Sequence, residues 1–318
     1  MEVPQFLKVF KRNSRASGWI AVATSRRGVH IAQVKFAGTR PQVTRCDFYP
    51  LSEISSSTLE KVRKDAQLGD ARFTTLLSAN EYQLMMVDAP NVPVNELKTA
   101  IRWKIKDTLN YHVDDATIDV LLIPSNKYGS DRPQSLYAVA ASNETIRKRI
   151  ELFENAKFEL SVIDIPETAQ RNIAALFEME ARGLALLTFG DEGGLLTITC
   201  DGELFLARRL DITLGQLQDA DENLRQQYLD RVELEVQRSL DYFDRQFHHI
   251  PVSRILVSTP QTLGLDKLLT NSLGMSVEML DLAQGMDIFA VPELSDSEFV
   301  SYALPVLGAA LRQEKKTL

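Results

Sequence analysis

Apolar and polar residues alternate over the first fifty positions of the chain. In IAVATSRRGVHIAQV (residues 20–34), Ile20, Val22, Val29, Ile31 and Val34 are the apolar positions, and Ser25-Arg26-Arg27-Gly28 interrupts them. A period of two with such a break predicts two strands and a tight turn. Three strands are expected, over 19–24, 29–36 and 43–49. A second trio is expected over 184–189, 195–200 and 203–210, its last pair joined by Asp201-Gly202, a strong hairpin signal. Glycine follows the first strand of each trio: Gly28 in one, Gly190, Gly193 and Gly194 in the other. Helical sequence and further strands follow both. The chain reads as an internally repeated α/β protein of two similar lobes, each a mixed sheet covered by helices.

Between the trios the pattern changes. Strands are expected over 74–79 and 82–87, and Pro90 and Pro93 then mark a boundary. A helix is expected over 95–109, where Leu97, Ile101, Ile105 and Leu109 recur every four positions. Strands over 120–123 and 135–141 flank the loop PSNKYGSDRPQ. Ser142 caps a helix in which Ile146, Ile150 and Phe153 share a face. Residues of about 88–157 form a small α/β subdomain inserted in the first lobe, which spans 18–181. Pro166 opens a helix running to about 181, where the second lobe (182–318) begins. That lobe's longest helix lies in NLRQQYLDRVELEVQRSLDYFDRQF. Its stripe of Leu229, Val232, Val236, Leu240, Phe243 and Phe247 steps by three or four. Strands over 254–258 and 276–280 and a terminal helix over about 303–314 complete the chain.

Composition narrows the function classes. A length of 318 residues, 44% hydrophobic and 25% charged, is that of an ordinary globular protein. The net charge of -7 argues against nucleic acid as a partner. No run approaches the roughly 20 apolar residues of a membrane span, and no secretory signal is expected. The tail 1–17 is the exception to the acidic balance. Phe6, Leu7 and Phe10 stand beside Lys8, Lys11, Arg12 and Arg15, a basic amphipathic pattern able to touch an anionic membrane surface. Cys46 and Cys200 lie in strand-like stretches and are expected to be buried, inert thiols. His30, His112, His248 and His249 have no partner at metal-ligand spacing. No phosphate-binding Gly-x-x-x-x-Gly-Lys-Ser/Thr loop, nucleophile elbow or dinucleotide fingerprint appears. No catalytic residue and no metal site are expected.

Four stretches carry a resemblance: AIRWKIKDTLNYHVDDATIDVLLI, SVIDIPETAQRNIAALFE, LEVQRSLDYFDRQ and LPVLGAALR. They resemble the PilM family of type IV pilus assembly proteins, more narrowly its MshI branch from mannose-sensitive haemagglutinin (MSHA) pili. The resemblance runs in order over about residues 18–312. It implies an actin-like, FtsA/PilM-like duplicated fold with a small α/β subdomain inserted in the first lobe.

The resemblance also implies where a nucleotide would bind, and the sequence departs there. Ala21 and Ala23 stand where the first phosphate loop has Asp and Gly. A carboxylate there holds the Mg²⁺ water shell, and a glycine lets the backbone approach a phosphate. Thr188 replaces an Asp in the second loop, and Pro260 enters the adenosine-binding turn. Thr24, Ser25, Gly190, Asp191 and Gly193 mark the degenerate loops, and ATP with Mg²⁺ is not expected as a working cofactor. The expected function is a cytoplasmic scaffold peripheral to the inner membrane, a pseudo-ATPase that binds the tail of a PilN-like bitopic protein. The tail is expected between the first lobe's sheet and the insert, with Arg102, Trp103 and Lys106 as anchors. The alternative is an ATP-binding switch or ATPase of the same fold.

Overall fold

The computed structural model describes residues 18–38, 40–69, 71–124 and 134–313. The tail 1–17, most of the PSNKYGSDRPQ loop and the end of the RQEKK run lie outside them.

The first lobe opens with an antiparallel meander, β1 (Trp19–Ser25), β2 (Gly28–Ala37) and β3 (Arg40–Pro50). Gly28 is required at its first turn. Its φ is +146°, and a Cβ there would lie 2.1 Å from the Tyr49 carbonyl oxygen. After α1 (Ser56–Asp65), β4 (Arg72–Leu76) pairs parallel with β1. The insert follows as β5 (Tyr82–Asp88), α2 (Leu97–Ile105), β6 (Ala116–Leu122) and β7 (Ser135–Ser142), with sheet order β5-β7-β6. The chain returns through α3 (Asn143–Asn155) to β8 (Leu160–Asp164), which completes the first-lobe sheet in the order β3-β2-β1-β4-β8.

Helix α4 (Pro166–Ala174) then crosses to the second lobe. There β9 (Gly183–Gly190), β10 (Gly193–Cys200) and β11 (Glu203–Leu210) form the second meander. Next come α5 (Leu214–Leu217), α6 (Glu222–Phe247), β12 (Val252–Ser258), α7 (Leu265–Leu273), β13 (Val277–Met279), α8 (Leu282–Gly285) and α9 (Ser297–Ala310). The sheet order β11-β10-β9-β12-β13 repeats that of the first lobe: a meander, then two strands added in parallel. The repeat expected from the two trios is a repeat of topology.

Several boundaries differ from the expectation, each for a packing reason. The insert was expected over 88–157, but β5 joins its sheet and α3 does not. Phe153 of α3 is fully buried against Phe73 and Phe158 in the first-lobe core, with Phe158 edge-on to both rings. Helix α2 ends at Ile105, leaving Leu109 beyond it, and α4 ends at Ala174. Helix α9 starts at Ser297 because the Asp296 carboxylate accepts from the Glu298 N–H at 2.9 Å.

Helices α4 and α9 pack between the lobes. Ala169, Ile173, Leu304 and Leu307 share one core with Ala21 and Val34 of the first sheet and Leu184 and Leu256 of the second. The crossing is close: a Cβ on Gly308 would lie 2.2 Å from the Ala169 carbonyl oxygen. Asn172 donates to the Gly308 carbonyl at 2.9 Å. Cys46 and Cys200 are buried free thiols. Burial, then Asp47 and Glu293, pushes the Cys46 thiol up to about 12. Among the described residues no helix is long and apolar enough to cross a membrane.

The α6 stripe turns inward as its spacing predicts. Leu229, Val232, Val236 and Phe243 are buried, and Leu240 and Phe247 pack partly buried beside them. Phe243→Ala is expected to cost about 3–5 kcal/mol through lost burial and a cavity, read as a lowered urea midpoint. An unchanged midpoint would place the stripe on the wrong side of the helix.

Candidate functional site

Two concave features compete for the role. The first is the cleft between the lobes, where the β1–β2 and β9–β10 turns face one another across a cavity of about 420 Å³. Thr24, Ser25, Gly190, Asp191 and Gly193 all border it, so the fold brings the five expected loop residues together.

The hydroxyls of Thr24 and Ser25 are already engaged. The Thr24 hydroxyl accepts from Arg149 Nη1 at 3.0 Å, and the same guanidinium pairs with Glu81. The Ser25 hydroxyl accepts from the Arg27 N–H at 3.2 Å and donates to the Gly28 carbonyl at 3.3 Å, closing its own turn. Glu192 reaches across from the second lobe, and its carboxylate accepts from the Ala79 N–H at 2.8 Å. Arg27 lies over the Tyr302 ring of α9 at 4.0 Å. Thr188 donates to Gln170 Oε1 at 2.8 Å, and the Gln170 amide donates to the Leu186 and Leu195 carbonyls.

This donor set does not fit a magnesium triphosphate. Ala21 is fully buried, so no carboxylate comes from β1. Asp191 and Glu192 add two carboxylates to a lining that also holds Arg26 and Arg209, and carboxylates facing a triphosphate repel it. Among the described residues no group of three or more His, Cys, Asp or Glu side chains could hold a metal ion. Pro260 has φ -55° and precedes a short 3-10 turn, with no N–H to offer.

Behind the cleft lies a buried ion pair that joins three parts of the chain. Glu167, in the first turn of α4, has no solvent exposure. Arg209 of β11 donates to it through Nε at 3.0 Å, and its Nη2 lies 2.9 Å from the same carboxylate while donating to the Tyr82 hydroxyl. Tyr82 of β5 donates its hydroxyl to the same carboxylate, and the Arg209 guanidinium lies 4.8 Å from the Tyr82 ring centre. Burial and the Glu167 charge push the Tyr82 phenol up. Sequence reasoning missed this trio, whose members are 42 and 85 residues apart and carry no local pattern.

The second feature is a groove of about 300 Å³ between the first lobe and the insert. Its walls are β8, the last strand of the first sheet, and β6, the last strand of the insert sheet. Both present an open edge. Asp164 accepts from the Leu77 N–H at 2.9 Å on the β4 side. In the regularly paired part of β8, strand alternation therefore turns the N–H and C=O of Ile163 toward the open side, while Ser161 sits at a register shift against β4. Ile146 and Ile150 of α3 and Val139 and Ala141 of β7 make an apolar floor.

The expected anchors lie elsewhere. Leu97, Ile101 and Ile105 of α2 pack on the sheet face that holds Ile118, Ala138 and Ala140. The groove opens on the other face, with Thr117, Asp119, Val139 and Ala141. A period of two separates the sets. Arg102 donates to the Val113 and Ala116 carbonyls at 2.5 and 3.1 Å, fixing the approach to β6. Trp103 is 63% exposed and Lys106 is exposed, both away from the groove. The sequence places Ile146, Ile150 and Phe153 on one face of the helix. Only Phe153 is buried, and Ile150 is 36% exposed.

No family model matches this sequence, and no curated protein matches it by sequence. Its structure is similar to the PilM–PilN type IV pilus biogenesis complex, with a TM-score of 0.73 at 17% identity over 95% of this chain and 100% of that one. It is more distantly similar to the cytoplasmic domain of EpsL, an inner-membrane component of the type II secretion system of Vibrio cholerae. That TM-score is 0.46 at 14% identity, over 77% of this chain and 83% of that one. A Bacteroides thetaiotaomicron protein of actin-like ATPase fold and unknown function gives a TM-score of 0.49 at 9% identity, over 90% and 99%. The fold is PilM-like, with two lobes.

One cleft residue gives a pH dependence. His30 is 7% exposed and stacks on Phe48 at 4.5 Å. Burial, then Arg27, lowers its pKa from 6.5 to about 4. The unfolded chain therefore binds the proton first. This part of the stability is whole above pH 6.5 and is lost as the pH falls toward 4, a change of about 3 kcal/mol. His30→Gln is expected to flatten the unfolding free energy over that window in urea titrations. An unchanged slope would mean that His30 is not held neutral.

Proposed function

We propose that this protein is a scaffold of a type IV pilus assembly platform that holds the cytoplasmic tail of a PilN-like inner-membrane protein in the groove between β8 and β6. The observation that carries this reading is the pair of open sheet edges on either side of an apolar floor. An extended peptide laid along β8 gains main-chain hydrogen bonds from Ile163 and side-chain pockets at Ile146 and Ile150. The similarity to the PilM–PilN complex supports the choice of partner. On this reading the protein works at the cytoplasmic face of the inner membrane. The LEVQRSLDYFDRQ and LPVLGAALR stretches extend the proposal to the MSHA pilus branch. The cleft serves as structure, a degenerate nucleotide site without turnover.

The groove is tested with a labelled synthetic peptide carrying the tail of a PilN-like protein. Ile146→Glu with Ile150→Glu is expected to weaken binding by about 30-fold or more, as loss of two apolar anchors would. Both side chains are partly or well exposed, so the fold is kept. Arg102→Glu with Trp103→Ala should leave affinity unchanged. The opposite pattern would return the site to α2.

A second reading, an ATP-binding switch, is favoured by one observation. The cleft cavity of about 420 Å³ falls within the size range of small-molecule sites. A ligand of the native state must raise the melting temperature when in large excess over its Kd. Millimolar ATP or ADP with Mg²⁺ is expected to leave the melting temperature unmoved. A clear Mg²⁺-dependent rise would favour the switch.

A further inference from the structure

We propose that Arg149 is the positioning residue of the peptide groove, and that through it the groove is coupled to the β1–β2 turn of the interlobe cleft. The inference deepens the reading of the groove as a peptide site and rests on it for the peptide arm of its test. Arg149 stands on α3 between Ile146 and Ile150, the two side chains of that helix that form the groove floor. It points the other way. Its side chain is 7% exposed, its Nη1 donates to the Thr24 hydroxyl at 3.0 Å, and its Nη2 pairs with Glu81.

Both partners extend the connection. Thr24 sits at the end of β1 on the cleft wall, and Glu81 also accepts from the Ser78 N–H at 2.7 Å. Ser78 follows Leu77, another groove-lining residue. One guanidinium therefore fixes α3 against the segment carrying Leu77, which sets the distance across the groove floor. Its other arm is held by a hydroxyl on the cleft. A buried guanidinium has few ways to satisfy its donors: loss of Glu81 would strip the charge of its counter-ion, and loss of the Thr24 hydroxyl would leave Nη1 without its acceptor unless Arg149 moves. Moving Arg149 means moving α3. Ser142 caps the start of that helix and Phe153 anchors its far end, and between them Arg149 ties α3 to β1 and to the segment before β5.

The test pairs Thr24→Val with Thr24→Ser in the full-length chain. Thr24 lines the cleft and not the groove, so a purely local role predicts no effect on peptide binding. Thr24→Val is expected to weaken the tail peptide by about threefold or more, Thr24→Ser to restore it, and Arg149→Met to weaken it at least tenfold. In the free protein, hydrogen exchange of the α3 amides at 146–150 should quicken several-fold in Thr24→Val and return to normal in Thr24→Ser. Wild-type exchange and wild-type affinity in Thr24→Val would overturn the coupling. A wild-type protein that fails to bind the peptide overturns the groove reading instead, and the exchange measurement then decides the Arg149 linkage alone. Wild-type affinity in a folded Arg149→Met variant would remove its positioning role.

Discussion

Glu167 has no access to water, and the rest of the architecture is arranged around that fact. A buried carboxylate left without partners costs several kcal/mol, and removing one partner of such a pair typically costs about 3–5 kcal/mol. Its partners come from different parts of the chain: Arg209 from the second-lobe sheet and Tyr82 from the first strand of the insert. Only when both lobes and the insert are docked are all three groups satisfied. The position at the start of α4 helps, since a negative charge is favoured at a helix N-terminus. Above it, α4 and α9 pass close enough that only glycine fits at 308. Tyr137 adds a second tie from the insert, its hydroxyl accepting from the Ala207 N–H at 3.0 Å.

That docking leaves the two concave regions in opposite states. In the cleft, donors and acceptors meet one another: Thr24 with Arg149, Ser25 with its own turn, Glu192 with the Ala79 amide. In the groove, two strand edges end their sheets with backbone groups directed outward over an apolar floor. A surface recruits a partner where hydrogen-bonding capacity is unmet and apolar area is open. By that measure the groove at the edge of the insert is the face that the proposed peptide reading uses.

Much of the fold is legible in the sequence. The two trios of alternating residues, the Asp201-Gly202 hairpin, the Ser142 cap and the α6 stripe are local signals, set by strand and helix periodicity within a few residues. The positions of the cleft residues are legible too, because each turn follows its strand directly. Local pattern also decided that Cys46 and Cys200 would be buried, since both stand on the inward side of sheet strands.

Tertiary structure alone decided which apolar residues stay uncovered and which charged ones are buried. Ile146, Ile150 and Phe153 share one helical stripe, yet the neighbouring core covers only Phe153 and leaves the isoleucines to line a groove. Trp103 and Arg102 have the composition of an interface anchor, and the pleat of the insert sheet turns their helix to the other face. Glu167, Arg209 and Tyr82 carry no signature because partners so far apart in sequence are matched only by the docking of whole lobes. Periodicity states which side of an element is apolar. What covers that side depends on elements that arrive from elsewhere in the chain, and no local pattern records their arrival.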